Sequence, residues 1–259
     1  EIDSDYHYCF HLAAKVGVQN VVSNPYSTLS DNFIMTDLAI KHSKLSKNLK
    51  KFIFMSTSEV YAGTVSFSRA KMPTPENTEL ILPPLDQSRT SYMLSKISGE
   101  ALVQTSKLNY IIFRPHNIYG PRMGMSHVIP ELLKKIYNLR DGEILPVFSP
   151  NHTRTFCFID DAIEMIMSCV NQENINNLVL NLGNDKPEIK ISKLSKLLLK
   201  ICGQKETISD LGEFKGSPKR RCPDINQLLK ITNFKKFTSL EEGLRLTKSW
   251  YFSNFNNQN

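Results

Sequence analysis

"KKFIFMS", residues 50–56, is the stretch that decides the fold. It is short, apolar and bounded by polar residues, the pattern of a parallel strand buried on both faces. Upstream, "YHYCFHLAA" (6–14) reads as a strand ending in small residues, and downstream "NYIIFR" (109–114) reads as another. Between the first two, Leu29, Phe33, Ile34, Leu38 and Ile40 recur at helical spacing and predict a helix from Pro25 to about Ser46. A Pro- and Ser/Thr-rich loop from Thr57 to about Arg89, too long for an idle connection, leads into the helical segment "TSYMLSKISGE" (90–100). Strand and helix alternate, which argues for a parallel α/β sheet with crossover helices.

After "RPHNIYGPR" (114–122) the pattern loosens. A helix near 127–140 is followed by short strands in "ILPVF" and "TRTFCFI", then by a helix opening at Asp160-Asp161. Asp160 suits its N-cap, and both acids suit the positive end of the helix dipole, a better reading than paired catalytic carboxylates. "NLVLNLG" (177–183) is a further strand, and helices near 191–202 and 239–252 flank the basic segment "SPKRRCPDI" before the polar tail "NFNNQN".

A chain of 259 residues can bury a large core in one domain or two joined ones, and 41% hydrophobic with 22% charged residues is ordinary for a soluble protein. The net charge of +7 is spread over pieces such as "KNLKK" and "KGSPKRR". Without a basic stripe interleaved with aromatics, this favours a solvated face or a small anionic ligand over nucleic acid. The five cysteines are scattered, with no metal-ligand spacing, so neither a disulfide framework nor a metal site is expected. Reduced thiols, no apolar run of about 20 residues and no signal-peptide pattern predict a cytoplasmic protein with no membrane partner.

Tyr92 and Lys96 are four apart and share a helix face. An ammonium beside a phenol favours the phenolate and would make Tyr92 an acid/base usable near neutral pH, although the spacing also occurs in ordinary helices. Ligands of parallel sheets sit beyond the carboxyl ends of the strands. Here those ends carry "HLAA", "STSEVYAG" and "RPHNIYGPR", with the Tyr92/Lys96 helix between the last two. With "RTFCFIDDAIE" and "RRCPDI...SLEEGL", these segments in this order resemble the extended short-chain dehydrogenase/reductase family over almost the whole chain. The resemblance is to its nucleotide-sugar epimerases, dehydratases and decarboxylases.

That resemblance implies a Rossmann-type doubly wound sheet in residues 1–115, rejoined by 177–183, and a smaller C-terminal α/β substrate domain in 116–176 and 184–259. It implies NAD as cofactor, a nucleotide-diphosphate sugar as substrate, and a homodimer through helices near 28–46 and 90–107. Tyr92 would take the proton from a sugar hydroxyl, Lys96 would hold the cofactor ribose and depress the Tyr92 pKa, and Ser58 would bond the same hydroxyl. Ser56 would lie on the cofactor side, where Ala13 and Ala14 allow close approach. Asn117 would contact the substrate near its diphosphate. Arg154 and Arg221 would meet the phosphates or an acidic sugar group, for which the planar guanidinium is suited. His127 would contact the sugar. The plain alternatives are a turn serine at Ser58, packing at the alanines, solvated arginines and a structural histidine.

The chain departs from the family in one respect. G-x-x-G-x-x-G, which lays a pyrophosphate on a helix N-terminus, occurs nowhere in it. Glu1 stands where the resemblance places the fourth strand, so a fragment of a longer enzyme is expected. Thr57-Ser58-Glu59 replaces the Thr-Asp-Glu of the dehydratases and argues against dehydration. "STSEVY" with "RRCPDI" resembles the UDP-glucuronate decarboxylases, in which Glu59 would act beside the carboxylate. "GPRMGMSHVIPELL" is more similar to sugar epimerases of surface-polysaccharide pathways. The expectation is an epimerase, with a decarboxylase or a non-catalytic dimerising fragment as alternatives.

Overall fold

Phe52, Ile53, Phe54, Ile111, Ile112 and Phe113 all have 1% or less of their surface exposed. Strands so covered on both faces require helices on both sides, which a parallel sheet supplies. The sheet runs in the order Tyr8–His11, Lys51–Met55, Tyr110–Pro115, Leu178–Leu182, all neighbours parallel. Its carboxyl ends therefore share one edge. The expected α/β, Rossmann-type architecture is what the computed structural model shows; it describes residues 5–214 and 217–255. Glu1, Lys215-Gly216 of the basic segment and the last four residues of the polar tail lie outside the described residues.

The chain divides into two compact units, Glu1–Pro115 with Met165–Leu182 and Asp224–Phe234, and His116–Glu164 with Gly183–Pro223 and Lys235–Asn259. The sequence division left 165–176 and 224–234 outside the sheet-bearing part. The buried Lys51 explains the first of these stretches. Its Nζ donates to the carbonyls of Val170 (2.8 Å) and Cys169 (3.4 Å) in the last turn of the Ile159–Val170 helix and to that of Gln172 just beyond it. Asn181 accounts for the second, donating to the Asp224 carbonyl at 3.0 Å, while the unforeseen helix Asn226–Thr232 packs on the Leu178–Leu182 strand.

Three further details correct the sequence reading. The Pro25–Ser43 helix buries Thr28, Asn32, Thr36, Ile40 and Ser43, whereas Phe33, Ile34 and Leu38 are exposed. The buried polar face is satisfied: Thr28 and Thr36 donate to carbonyls four residues back, and Asn32 donates to Ser95 Oγ at 3.1 Å on the packed Ser88–Thr105 helix. The loop after Thr57 contains a 3₁₀ turn, Ser58–Tyr61, and a short helix, Ala62–Ser66. It folds back so closely that a Cβ on Gly63 would lie 1.7 Å from the Ile81 carbonyl oxygen. Finally, the later helix starts at Ile159, so Asp160 lies exposed inside the first turn instead of capping it. Its neighbour Asp161 is buried and accepts from Thr238 N (2.9 Å) and Oγ1 (2.8 Å). The Val18–Ser23 helix was also not anticipated.

The second unit is an α/β assembly of short pieces. Leu145–Val147 pairs with Ile208–Asp210, Ile118–Tyr119 with Cys157–Phe158, and Thr153–Arg154 lies between Arg220–Arg221 and Ile189–Lys190. Helices Val128–Tyr137, Ile191–Ile201 and Leu240–Asn254 pack around Tyr119, Ile129, Leu133, Leu194, Leu198 and Leu244. Among the described residues no helix is long and apolar enough to cross a membrane.

Candidate active site

Lys96 lies one turn after Tyr92 on the Ser88–Thr105 helix and is buried to 5% exposure. Its Nζ donates to the Met55 carbonyl at 2.8 Å, at the carboxyl end of a central strand, and lies 5.1 Å from the centre of the Phe54 ring. Burial pulls the ammonium down to about 8, opposed by the Glu100 carboxylate. Tyr92 is pushed the other way from the expectation, up to about 12. Burial raises it, a hydrogen bond with the Thr57 side chain pulls it back, and the Glu59 charge raises it again. Burial sets the direction, and the Lys96 ammonium one turn away is turned to Met55.

The strand end supplies the rest of this cluster. Ser58 is buried and opens the 3₁₀ turn, with Thr57 as its N-cap accepting from Glu59 N at 3.2 Å. Glu59 faces Arg89 at 3.7 Å, and Arg89 stands three residues before Tyr92 on the same helix. The Ser56 hydroxyl, expected on the cofactor side, donates to Glu100 Oε1 at 2.5 Å. Arg114 holds the same carboxylate bidentately, Nε at 2.9 Å and Nη2 at 2.6 Å, and donates to Tyr61 Oη at 2.7 Å. Sequence reasoning missed Glu100, Arg114 and Arg89. The Lys96–Glu100 spacing of four residues was a readable signal for the first; no local pattern marks the pairing with Arg114.

Ala13 and Ala14 line a cleft of about 550 Å³ with Lys15, Asp31, Ile34 and Met35. The loop is fixed there by Asn32, whose amide accepts from Lys15 N (2.6 Å) and donates to Lys15 O (3.1 Å). Lys15 also pairs with Asp31 at 2.5 Å. A buried ammonium, a phenol and small residues at the carboxyl edge of a parallel sheet form a donor set that fits the ribose end of a dinucleotide. No cluster of metal-ligating side chains occurs among the described residues.

The second unit holds the other candidates. Asn117 has φ +45°, a left-handed conformation that asparagine tolerates. Its amide donates to the Thr155 carbonyl at 2.9 Å, and its own carbonyl accepts from Cys157 N at 3.2 Å. Arg154 is buried and donates to Thr153 O (2.7 Å), Pro218 O (2.7 Å) and Ser217 Oγ (2.9 Å). Arg221 is its register partner on the neighbouring parallel strand, so the structure brings these two arginines together. His127 is exposed at the N-cap of the Val128–Tyr137 helix without a side-chain capping bond.

A family model described as the NAD dependent epimerase/dehydratase family matches residues 2–183. The chain is similar to a UDP-N-acetyl-alpha-D-glucosaminuronate decarboxylase of Bacillus cytotoxicus, 28% identical over 97% of this chain and 78% of the relative. It is similar also to a UDP-glucuronate 4-epimerase of Thermodesulfobacterium geofontis, 27% identical over 93% of this chain and 71% of the relative. Among solved structures, a UDP-glucuronic acid 4-epimerase from Bacillus cereus in complex with UDP-glucuronic acid and NAD superposes with a TM-score of 0.80. It is 26% identical over 96% of this chain and 76% of that one.

Proposed function

Because the chain belongs to the NAD-dependent epimerase/dehydratase family, we propose that it is a nucleotide-sugar 4-epimerase serving surface-polysaccharide precursor synthesis. The observation that carries this is Tyr92 and Lys96 on one buried helix face, docked by the Lys96–Met55 bond at the edge where parallel sheets bind ligands. NAD, when bound, supplies the hydride acceptor that makes the sugar carbon 4 a ketone. Tyr92 takes the proton of the 4-hydroxyl and returns it, Ser58 bonds the same oxygen, and Lys96 holds the ribose. Asn117, Arg154, Arg221 and His127 bind the nucleotide-sugar, Arg154 exchanging its present carbonyl partners for phosphate oxygens.

The phenol near 12 defines what binding must accomplish. Bringing it to neutrality needs about 7 kcal/mol of preferential stabilisation of the phenolate, at about 1.4 kcal/mol per pH unit. Positive charge near Tyr92 is the means, and Lys96, one turn further on the same helix, is the candidate source. In the resting chain Tyr92 is protonated and must give up that proton before it can take the one from the 4-hydroxyl.

A second reading, a decarboxylase of nucleotide uronic acids, is favoured by Glu59 and Arg89 flanking Tyr92 and by the decarboxylase relative. A homodimer is part of the proposal, supported by the exposed Phe33, Ile34 and Leu38 on the Pro25–Ser43 helix. The test is incubation of the protein with NAD and a panel of UDP-, GDP-, CDP- and dTDP-sugars, products being read by NMR. A 4-epimer that vanishes in Tyr92→Phe supports the epimerase, and carbon dioxide released from a uronic acid supports the second reading. A Tyr92→Phe protein that turns over like wild type refutes both.

A further inference from the structure

Resting on that reading, we propose that Glu100 is a positioning residue of this site. With Ser56 and Arg114 it clamps the helical turn carrying Lys96 onto the end of the Lys51–Met55 strand. Two consecutive turns of the helix grip two consecutive residues of the strand end: Lys96 holds the Met55 carbonyl at 2.8 Å, and Glu100 holds the Ser56 hydroxyl at 2.5 Å. The Ser56 N–H is itself committed to Phe113 O at 2.8 Å, so the gripped segment is fixed from the next strand as well. It leads directly into Thr57, Ser58 and Glu59.

Glu100 is 2% exposed, and its oxygens receive Ser56 Oγ, Arg114 Nε and Arg114 Nη2. The surroundings of Lys96 are the Phe54 ring and His11 from the strands, Tyr92 and Glu100 on its own helix, and Arg114 behind Glu100. Among these, the Glu100 charge is what opposes the effect of burial on the Lys96 proton. Glu100 thus sets both where the ammonium stands and how readily it keeps its charge.

The test titrates Lys96 directly, by NMR of protein labelled at lysine 15Nζ and assigned with Lys96→Arg, without substrate or cofactor. The wild-type midpoint is expected near 8. Glu100→Gln should lower it by about one pH unit or more, the size expected for losing a nearby opposite charge. If unpaired Arg114 prevents that variant from folding, Glu100→Leu/Arg114→Met replaces the pair by apolar volume, an exchange buried ion pairs tolerate, and should lower it as well. Ser56→Ala, which keeps the charge, should leave the midpoint in place and reduce kcat about tenfold at unchanged KM, as misplacement of a reacting group does. An unmoved midpoint in a folded Glu100 variant, or a Ser56→Ala protein with unchanged kcat, overturns the clamp. A wild-type protein that converts no nucleotide-sugar while its Glu100 variants lose the midpoint overturns the epimerase reading and leaves the clamp standing.

Discussion

Replacing Gly99 by alanine tests whether the Tyr92/Lys96 helix is seated by contact with the sheet. Gly99 lies three residues after Lys96 and seven after Tyr92, on the face of the helix they share. A Cβ built there falls 2.6 Å from Phe54 Cζ, with Cε1 and Cε2 at 3.2 and 3.4 Å. Carbon atoms rest at roughly 3.5–4.0 Å, so helix and ring must part by about 1 Å. Phe54 is 1% exposed, the His11 ring stacks on it at 5.6 Å between centroids, and Lys96 Nζ lies over it. The ring cannot step aside without displacing both. Overpacking costs about 1–3 kcal/mol, of which alanine's better helix propensity returns about 1. The net loss of stability is small, on the order of 1 kcal/mol, whereas a 1 Å displacement of catalytic groups costs on the order of 10²-fold in rate. Urea denaturation and turnover should therefore diverge: a modest fall in midpoint with a large fall in kcat, relieved by adding Phe54→Leu. A Gly99→Ala protein that gains stability and turns over within about twofold of wild type would refute the contact argument, since propensity alone then acts.

Protonation gives two further tests. Lys96 binds its proton more weakly folded, near 8, than unfolded, near 10.5, so the folded state holds fewer protons in that window. Stability then rises with pH from 8 to 10.5, by about 3 kcal/mol, and this rise should disappear from denaturant curves of Lys96→Met. His11 is depressed to about 4 by burial and by Lys96. Stability should fall by about 3 kcal/mol as pH drops from 6.5 to 4, and His11→Phe should flatten that limb. In the second unit, a Cβ on Gly243 would lie 2.1 Å from Tyr119 Oη and 2.9 Å from Phe158 Cδ2. Gly243→Ala should cost about 2–3 kcal/mol in calorimetry. Gly142→Ala, where a Cβ meets nothing but φ is +82°, should cost about 1 kcal/mol. Phe33→Glu with Leu38→Lys should convert the proposed dimer to a monomer in sedimentation; a wild-type protein that already sediments as a monomer removes that interface from the reading.

The elements that the sequence made legible are those whose burial is one-sided in composition. Phe52 to Phe54 and Ile111 to Phe113 are apolar because both faces of a parallel strand are covered, and the shortness of the runs is what favours a strand over a buried helix. The Pro25–Ser43 helix misleads for the converse reason. Its inward face is Thr28, Asn32 and Thr36, satisfied by bonds to the helix's own carbonyls and to Ser95, so the apolar period follows the exposed side. The same physics divides the site. Tyr92 and Lys96 could be placed on one face from spacing alone, because helical neighbours are local. Their proton affinities could not, because these depend on desolvation and on where the ammonium points. Met55 and Glu100 decide that, and Glu100 is held in turn by Arg114, fourteen residues further along the chain. Pairwise spacing finds the reacting groups and reaches Glu100, four residues after Lys96; it does not find Arg114, which pairs with that carboxylate from a strand. A Glu100→Asp protein separates these two levels, since it keeps the charge and shortens the reach to Ser56 and Arg114. Its Lys96 midpoint should stay near the wild-type value while kcat falls toward that of Ser56→Ala, and a wild-type kcat in Glu100→Asp would show that distance to the strand end is not what the clamp controls.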